Sequence, residues 1–326
     1  MKLSLLKIGY CRHPEAIVLR GGKWSPCEFP AICALIEHPT RGYMLYDTGY
    51  SAHFFEETQP FPYRLYRWIT PVHLKANETL IYQLQQRGIT AAEIQTIFIS
   101  HFHADHIAGL RDFPKAQFIC LQAGFEAIKT RQGFSALLNA FVPGLLPYDF
   151  QARLQFVETT RPISLNTALA PFSYGYDIFS DGSLIAVELP GHASGQMGLI
   201  LANEQGQTHF LIADACWHSQ AYQSNRPPHW LAHLITADKK AYLTTLHQLH
   251  QLYQNNSEIA IIPSHCLATF QKFDAERRGM HSHAERGNEK RGAWERETLV
   301  ICSRFCSRSH AERGNACGDA LRRVLN

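Results

Sequence analysis

The chain has 326 residues, enough for one large domain or two ordinary ones around a sizeable core. It is 45% hydrophobic and 18% charged, a globular balance, and no apolar run approaches the ~20 residues that span a bilayer. The net charge of +3 falls entirely after residue 273, so the electrically balanced body offers no footprint for nucleic acid. The opening "MKLSLLKIGYCRHP" is interrupted by Lys7 and lacks a small-residue cleavage site. It reads as a first strand rather than a signal peptide. Residues 31–37 and 42–47 read as strands paired across His38–Arg41. "NETLIYQLQQRG" (77–88) predicts a helix capped by Asn77, with Leu80, Ile81 and Leu84 on one face and Gly88 at its end. Thr90 and Glu93 have capping-box spacing, and 94–100 is a short β-branched run. A strand at 116–121 follows.

Later come a strand at 183–192 and a hairpin at 197–215 turning at Glu204–Gln207. Asp238 caps a helix through Tyr253 that sets Tyr242, Leu246, Leu249 and Tyr253 on one face. The last strand is 258–265. This alternation predicts an α/β fold with two halves whose sheets pack inward. Beyond Phe273 the chain turns rich in Arg, Gly, Ser and Glu, and "HAERGN" occurs at 283–288 and 310–315. Two copies are too few for a solenoid. The expected organisation is a domain over 1–273 and a poorly packed or disordered tail over 274–326, with His281, His283 and His310 inert. Nine scattered cysteines, an odd number, do not make a disulfide framework, so a reducing, cytoplasmic setting is expected. Cys302, Cys306 and His310 lack a fourth ligand for a zinc knuckle.

"SHFHADHIAGL" (100–110) crowds His101, His103, Asp105 and His106 just past the end of a strand. Open α/β sheets place ligand groups there, because the side chains leave the core and face a crevice. In an extended loop His101 and His103 point the same way, with Asp105 and His106 one step further along, so two metals can be served side by side. A polar loop pairing histidines with carboxylates is the plainer alternative, and it leaves this density of buried polar groups short of partners. His192 ends "LPGH", Asp214 ends "FLIAD" and His265 ends "IIPSH". Each apolar run delivers one ligand-type residue at its edge.

The order H-x-H-x-D-H, then PGH, then a strand-terminal Asp, then a late P-x-H resembles the metallo-β-lactamase superfamily, over roughly residues 1–270. The resemblance implies a four-layer αββα sandwich with the site along one edge of the two sheets. It implies His101, His103 and His192 on one metal, Asp105, His106 and His265 on a second, and Asp214 bridging them. Two zinc ions are expected, with iron or manganese also compatible. Asp214 stands where true β-lactamases usually carry Cys, and His103 where iron-dependent flavin partner enzymes carry Glu. The His106-to-His192 gap is similar to that of N-acyl homoserine lactonases. Those lactonases carry, three residues after the bridging Asp, a Tyr that contacts the substrate carbonyl. Here Trp217 stands there, and Tyr222 is the nearby phenol that could substitute. "YDTGY" (46–50) carries one aspartic-protease-like D-T-G where that chemistry needs two. The resemblance instead makes Asp47 a group that orients ligands.

The expected enzyme is a metal-dependent hydrolase in which a bridging hydroxide attacks a lactone, ester or thioester of a small, partly apolar substrate, with Asp105 or Asp214 carrying the proton. A phosphodiesterase or nuclease of the same fold, or a non-catalytic metal- or ligand-binding protein, are the alternatives. No membrane partner is expected, and a homodimer is left open. The aromatic stretch 52–72 reads as core, subunit contact or substrate lid, and 137–150 as a second wall. His247 and His250 are expected on a solvated helix face.

Overall fold

Long apolar strands at the N-terminus start the first sheet. β1 (Lys2–Pro14) lies antiparallel to β2 (Pro26–His38), with Leu3 opposite Ile36 and Leu6 opposite Cys33. Their register shifts between Lys7 and Tyr10. Gly9 sits in that bulge at φ +69°, and a Cβ on it would lie 2.6 Å from the His73 carbonyl oxygen. Only glycine fits both conditions. β3 (Gly42–Tyr46), β4 (Val72–His73), β5 (Ile94–Phe98), β6 (Gln117–Cys120) and β7 (Leu154–Phe156) complete the sheet, in the order β4-β1-β2-β3-β5-β6-β7. From β3 onward its pairings are parallel.

The second sheet runs β13 (Ala260–Pro263), β12 (Thr208–Ala213), β11 (Met197–Ala202), β10 (Leu184–Glu188), β9 (Tyr174–Asp177) and β8 (Pro162–Ser164). Its pairings are antiparallel except β12 with β13. The sheets face each other over one core that takes in Ile8, Leu45, Ile97 and Phe118 from the first and Val187, Ile200, Phe210 and Ile212 from the second. Among the bonds that cross between them, the Tyr46 hydroxyl donates to the Met197 carbonyl at 2.7 Å, the Met197 amide to that of Ser100 at 3.0 Å, and the Ile32 amide to that of Ser264 at 3.0 Å. Helices cover the outer faces, giving the four-layer α/β sandwich. The computed structural model describes residues 1–276, of which Met1–Gln271 form one compact unit. The HAERGN repeats and nearly all of the expected tail lie outside the described residues.

The helices that matter for the site are α1 (Ala52–Glu57), α2 (Arg64–Ile69), α3 (Leu80–Gln85), α4 (Ala104–Ile107), α5 (Ser219–Gln223) and α6 (Lys239–Asn255). α3 is shorter than 77–88 suggests. Residues 76–78 form a separate 3₁₀ turn, and Thr79 rather than Asn77 caps the helix, its hydroxyl accepting from the Tyr82 amide. α6 starts on the Asp238 cap, continues past Tyr253, and buries Leu252 in its last turn. The stretch 52–72 divides its roles: Phe54 is fully buried, Tyr66 packs edge-on against it at 5.5 Å, and Phe61 and Trp68 are exposed. No helix among the described residues is long and apolar enough to cross a membrane.

Candidate metal centre

Five chain segments meet at one edge of the sandwich. His101 and His103 follow β5, Asp105 and His106 ride on α4, His192 follows β10, Asp214 follows β12 and His265 follows β13. The structure brings all seven together in two clusters. His101, His103, His192 and Asp214 form one, and Asp105, His106 and His265 the other; within each, the donor atoms lie within 4.8 Å of one another.

Neighbouring hydrogen bonds decide which nitrogen of each ring faces inward. His106 Nδ1 lies 2.7 Å from Asp47 Oδ2, and His265 Nδ1 lies 2.7 Å from the Pro30 carbonyl oxygen. Both acceptors hold the proton on Nδ1 and leave the Nε2 lone pair to the site. His101 Nδ1 is 3.0 Å from Ser100 Oγ, whose hydroxyl donates to Asp47 at 2.8 Å. Asp47 also accepts the Ser100 amide at 2.8 Å. It sits at φ +62°, a left-handed conformation that aspartate tolerates better than most residues. Asp47 thus binds the backbone and two histidine ligands into one unit.

Asp214 lies between the clusters. Its Oδ1 is 3.4 Å from His106 Nε2 and 3.2 Å from His265 Nε2, while its Oδ2 is 3.3 Å from His192 Nε2. Trp217 Nε1 donates to that Oδ2 at 2.7 Å. The His192 loop is pinned from outside: Gly191 and His192 carbonyls accept amides of Asp238 and Ala237 at the start of α6. Gly191 at φ +132° has no room for a Cβ, which would lie 2.2 Å from the Tyr242 nitrogen.

The charges are unusual for so dry a place. Burial lowers the pKa of His103 to about 3 and of His192 to about 4, and holds His101 well below its usual value. Burial opposes charge on His106 too, but Asp214, Asp105 and Asp47 outweigh it and raise the value to about 10. His265 is likewise raised, against burial, by Asp214 and Asp105. Asp105, resisted by burial, is brought down to about 2 by His106 and His265. Meanwhile the buried His101 Nε2, His106 Nε2 and Asp214 Oδ1 have no hydrogen-bond partner, and His103 Nδ1 faces His192 Nε2 at 3.0 Å. Converging lone pairs left unsatisfied in the interior fit a pair of cations.

The profile of the metallo-beta-lactamase superfamily matches residues 28–208. The chain belongs to this superfamily. Among curated relatives it is similar to "N-acyl homoserine lactonase AttM" of Azorhizobium caulinodans, 25% identical over 242 residues that cover 72% of this chain and 84% of that one. Among solved structures it is similar in fold to a mutant of B. thuringiensis AiiA described with N-decanoyl-L-homoserine at its active site (TM-score 0.62, 17% identity, 83% and 95% of the two chains). It is similar also to AidC, described as a dizinc quorum-quenching lactonase in complex with a product (TM-score 0.55, 19% identity, 82% and 87%).

Beside the clusters opens a cavity of about 350 Å³. His103, Asp105, His192, Asp214 and His265 line one part, and apolar side chains including Val18, Phe29, Ile69, Leu231, Leu234 and Ile235 line the rest. Trp217 lines it, with its N–H committed to Asp214. Tyr222 does not. It lies on α5 with its hydroxyl donating to the Ile261 carbonyl at 3.2 Å, so its packing against β13 turns it away from the cavity. His250 is half-buried rather than solvated, its Nδ1 2.8 Å from the Tyr222 carbonyl oxygen. Sequence reasoning missed Cys11 and Tyr50 on the cavity wall and held Tyr66 only within the stretch 52–72, read as core, subunit contact or lid. Cys11 follows the Gly9 bulge, and Tyr66 is one of several aromatics in 52–72 with nothing in the local pattern to single it out.

Proposed function

We propose that this metal-dependent hydrolase is a dinuclear zinc enzyme that opens lactones carrying an apolar substituent, of the N-acyl homoserine lactone kind. One observation carries the reading: a cavity of about 350 Å³ in which two adjoining ligand clusters face apolar walls. That volume and lining suit a small molecule with one hydrolysable polar group and one greasy arm. The lactonase relatives and the dizinc description of AidC support it. The imidazole-rich donor set suits zinc. His101, His103 and His192 would hold one ion, Asp105, His106 and His265 the other, with Asp214 shared.

When bound, such ions supply a nucleophile from water at neutral pH and polarise the ester carbonyl. The rest falls to the protein. Asp47 and the Pro30 carbonyl orient His106 and His265. Asp214 is the poorer proton carrier, since one oxygen accepts from Trp217 and the other lies between two imidazoles. Asp105 lines the cavity and would pass the proton that the attacking water gives up to the departing alkoxide oxygen. The apolar walls exclude bulk water from the reacting ester. All these residues precede Gln271, which supports a catalytic unit within 1–273. The cysteines among the described residues are all free thiols, in keeping with a reducing, cytoplasmic setting.

Metal analysis is expected to give about two zinc ions per chain. N-acyl homoserine lactones and simple γ-lactones are expected to open, with p-nitrophenyl acetate cut more slowly. His103→Ala should lose one ion and all turnover. Turnover of bis-p-nitrophenyl phosphate with no lactone opening would replace this reading by the phosphodiesterase one.

A further inference from the structure

Apart from the candidate ligands, the cavity has few polar groups, and most are already committed. The Trp217 N–H goes to Asp214 at 2.7 Å. His13 Nε2 and the Thr70 hydroxyl are bonded to each other at 3.3 Å. Two phenols remain on the wall, Tyr50 and Tyr66. Tyr50 is 1% exposed, and its hydroxyl is sealed in the interior. Tyr66 is different. It is half-buried on α2, its ring held edge-on against Phe54 at 5.5 Å, and its hydroxyl bonds to no described residue. Burial, then the proximity of Asp105, Cys11 and Asp214, pushes that phenol well above its usual range. It therefore stays protonated, a neutral donor on the wall of the cavity that Asp105 and Asp214 also line.

We propose that Tyr66 is a catalytic residue whose hydroxyl donates a hydrogen bond to the substrate's ester group, at an oxygen on which negative charge builds during ring opening. The assignment rests on the lactone reading above. A preplaced donor in a dry cavity needs no reorganisation when the charge appears, which is where such a bond counts most. No proton leaves the phenol; the bond strengthens as the oxygen becomes anionic. Tyr66 comes from a helix that supplies no ligand, so its contribution is separable from metal binding.

The test is Tyr66→Phe, which keeps the ring that packs on Phe54, set beside Tyr222→Phe, whose hydroxyl lies away from the cavity on the Ile261 carbonyl. For Tyr66→Phe, kcat on N-hexanoyl homoserine lactone should fall about 10²-fold. Zinc content and melting temperature should match wild type. Calorimetric affinity for the ring-opened N-hexanoyl-L-homoserine should weaken about fivefold. Tyr222→Phe should turn over as wild type does. Undiminished kcat in Tyr66→Phe, a loss that tracks missing zinc, or a loss confined to Tyr222→Phe overturns the assignment alone. A wild type that opens no lactone overturns the lactone reading and this assignment with it.

Discussion

The ligand cradle and the cavity beside it share His103, Asp105, His192, Asp214 and His265, yet they are held in different ways. In the cradle, position comes from strand ends and from polar bonds behind the rings: Asp47 to His106 and Ser100, Pro30 to His265, α6 to the His192 loop. In the cavity, position comes from apolar packing of short pieces such as α2 and the 230–235 turn, and Leu234 and Ile69 are more than 70% exposed. A directional bond fixes a lone pair to within a fraction of an ångström, whereas packing sets only a shape. The cradle should therefore fail sharply when one bond is altered, while the wall should change preference and keep its chemistry.

The sharpest break should come at Asp47. Asp47→Asn keeps the shape and tolerates the left-handed backbone, but its amide would donate to His106 Nδ1 and push the ring proton to Nε2, filling the lone pair meant for the metal. Zinc affinity should fall about 10- to 100-fold in a competition titration with a fluorescent chelator. Wild-type affinity in that variant would mean that the bonds behind the rings do not set the cradle.

A second contrast is between the histidines of the cradle and one buried outside it. His209 lies on β12, the strand that leads to Asp214, and burial lowers its pKa to about 4. An unfolded histidine titrates near 6.5, so between those values the unfolded chain binds more protons. Stability should drop as pH falls from 7 to 5, with His209 contributing about 2 kcal/mol of the loss. Urea midpoints at the two pH values should lie closer together in His209→Leu than in wild type; an equal gap would assign the acid sensitivity elsewhere.

Trp217 belongs to both regions. Trp217→Phe keeps most of the wall and deletes the bond to Asp214, so lactone turnover should fall about tenfold at full zinc occupancy. If substrate preference shifts and the rate does not, the indole acts as wall alone. The smallest effect belongs to the exposed lip. Leu234→Ala should narrow the preference for long over short acyl chains about threefold with zinc content unchanged. An unchanged preference would place the acyl arm elsewhere.

Much of the cradle could be read from the chain because each ligand ends an apolar run or crowds next to another ligand, and such local patterns survive without coordinates. Most of the strands were readable for the same reason: β3, β5 and β12 are short apolar stretches between turns, whereas β4, β7, β8 and β9 carry too few apolar residues to stand out. The wall was not readable. Tyr66 and Leu234 line it from short elements with no period to betray a face, and Cys11 from β1 beyond the Gly9 bulge, where the register shifts. Tyr222 misled because nearness in sequence to Asp214 says nothing about the side of α5 on which it emerges. Asn77 misled because it and Thr79 are both acceptable caps, and the choice rests on how residues 76–78 turn against β1.

The close approach of Gly191 to Tyr242 carries one more lesson. α6 holds no candidate ligand and lines no part of the cavity beside the clusters, yet its first turn touches the backbone that carries His192 with no space for a single methyl group. The helix acts as a jig against which one imidazole is set. Residues along its buried stripe, remote from any substrate, should then influence how well the centre loads, so a screen scored only on catalysis would mistake these supporting positions for chemical ones.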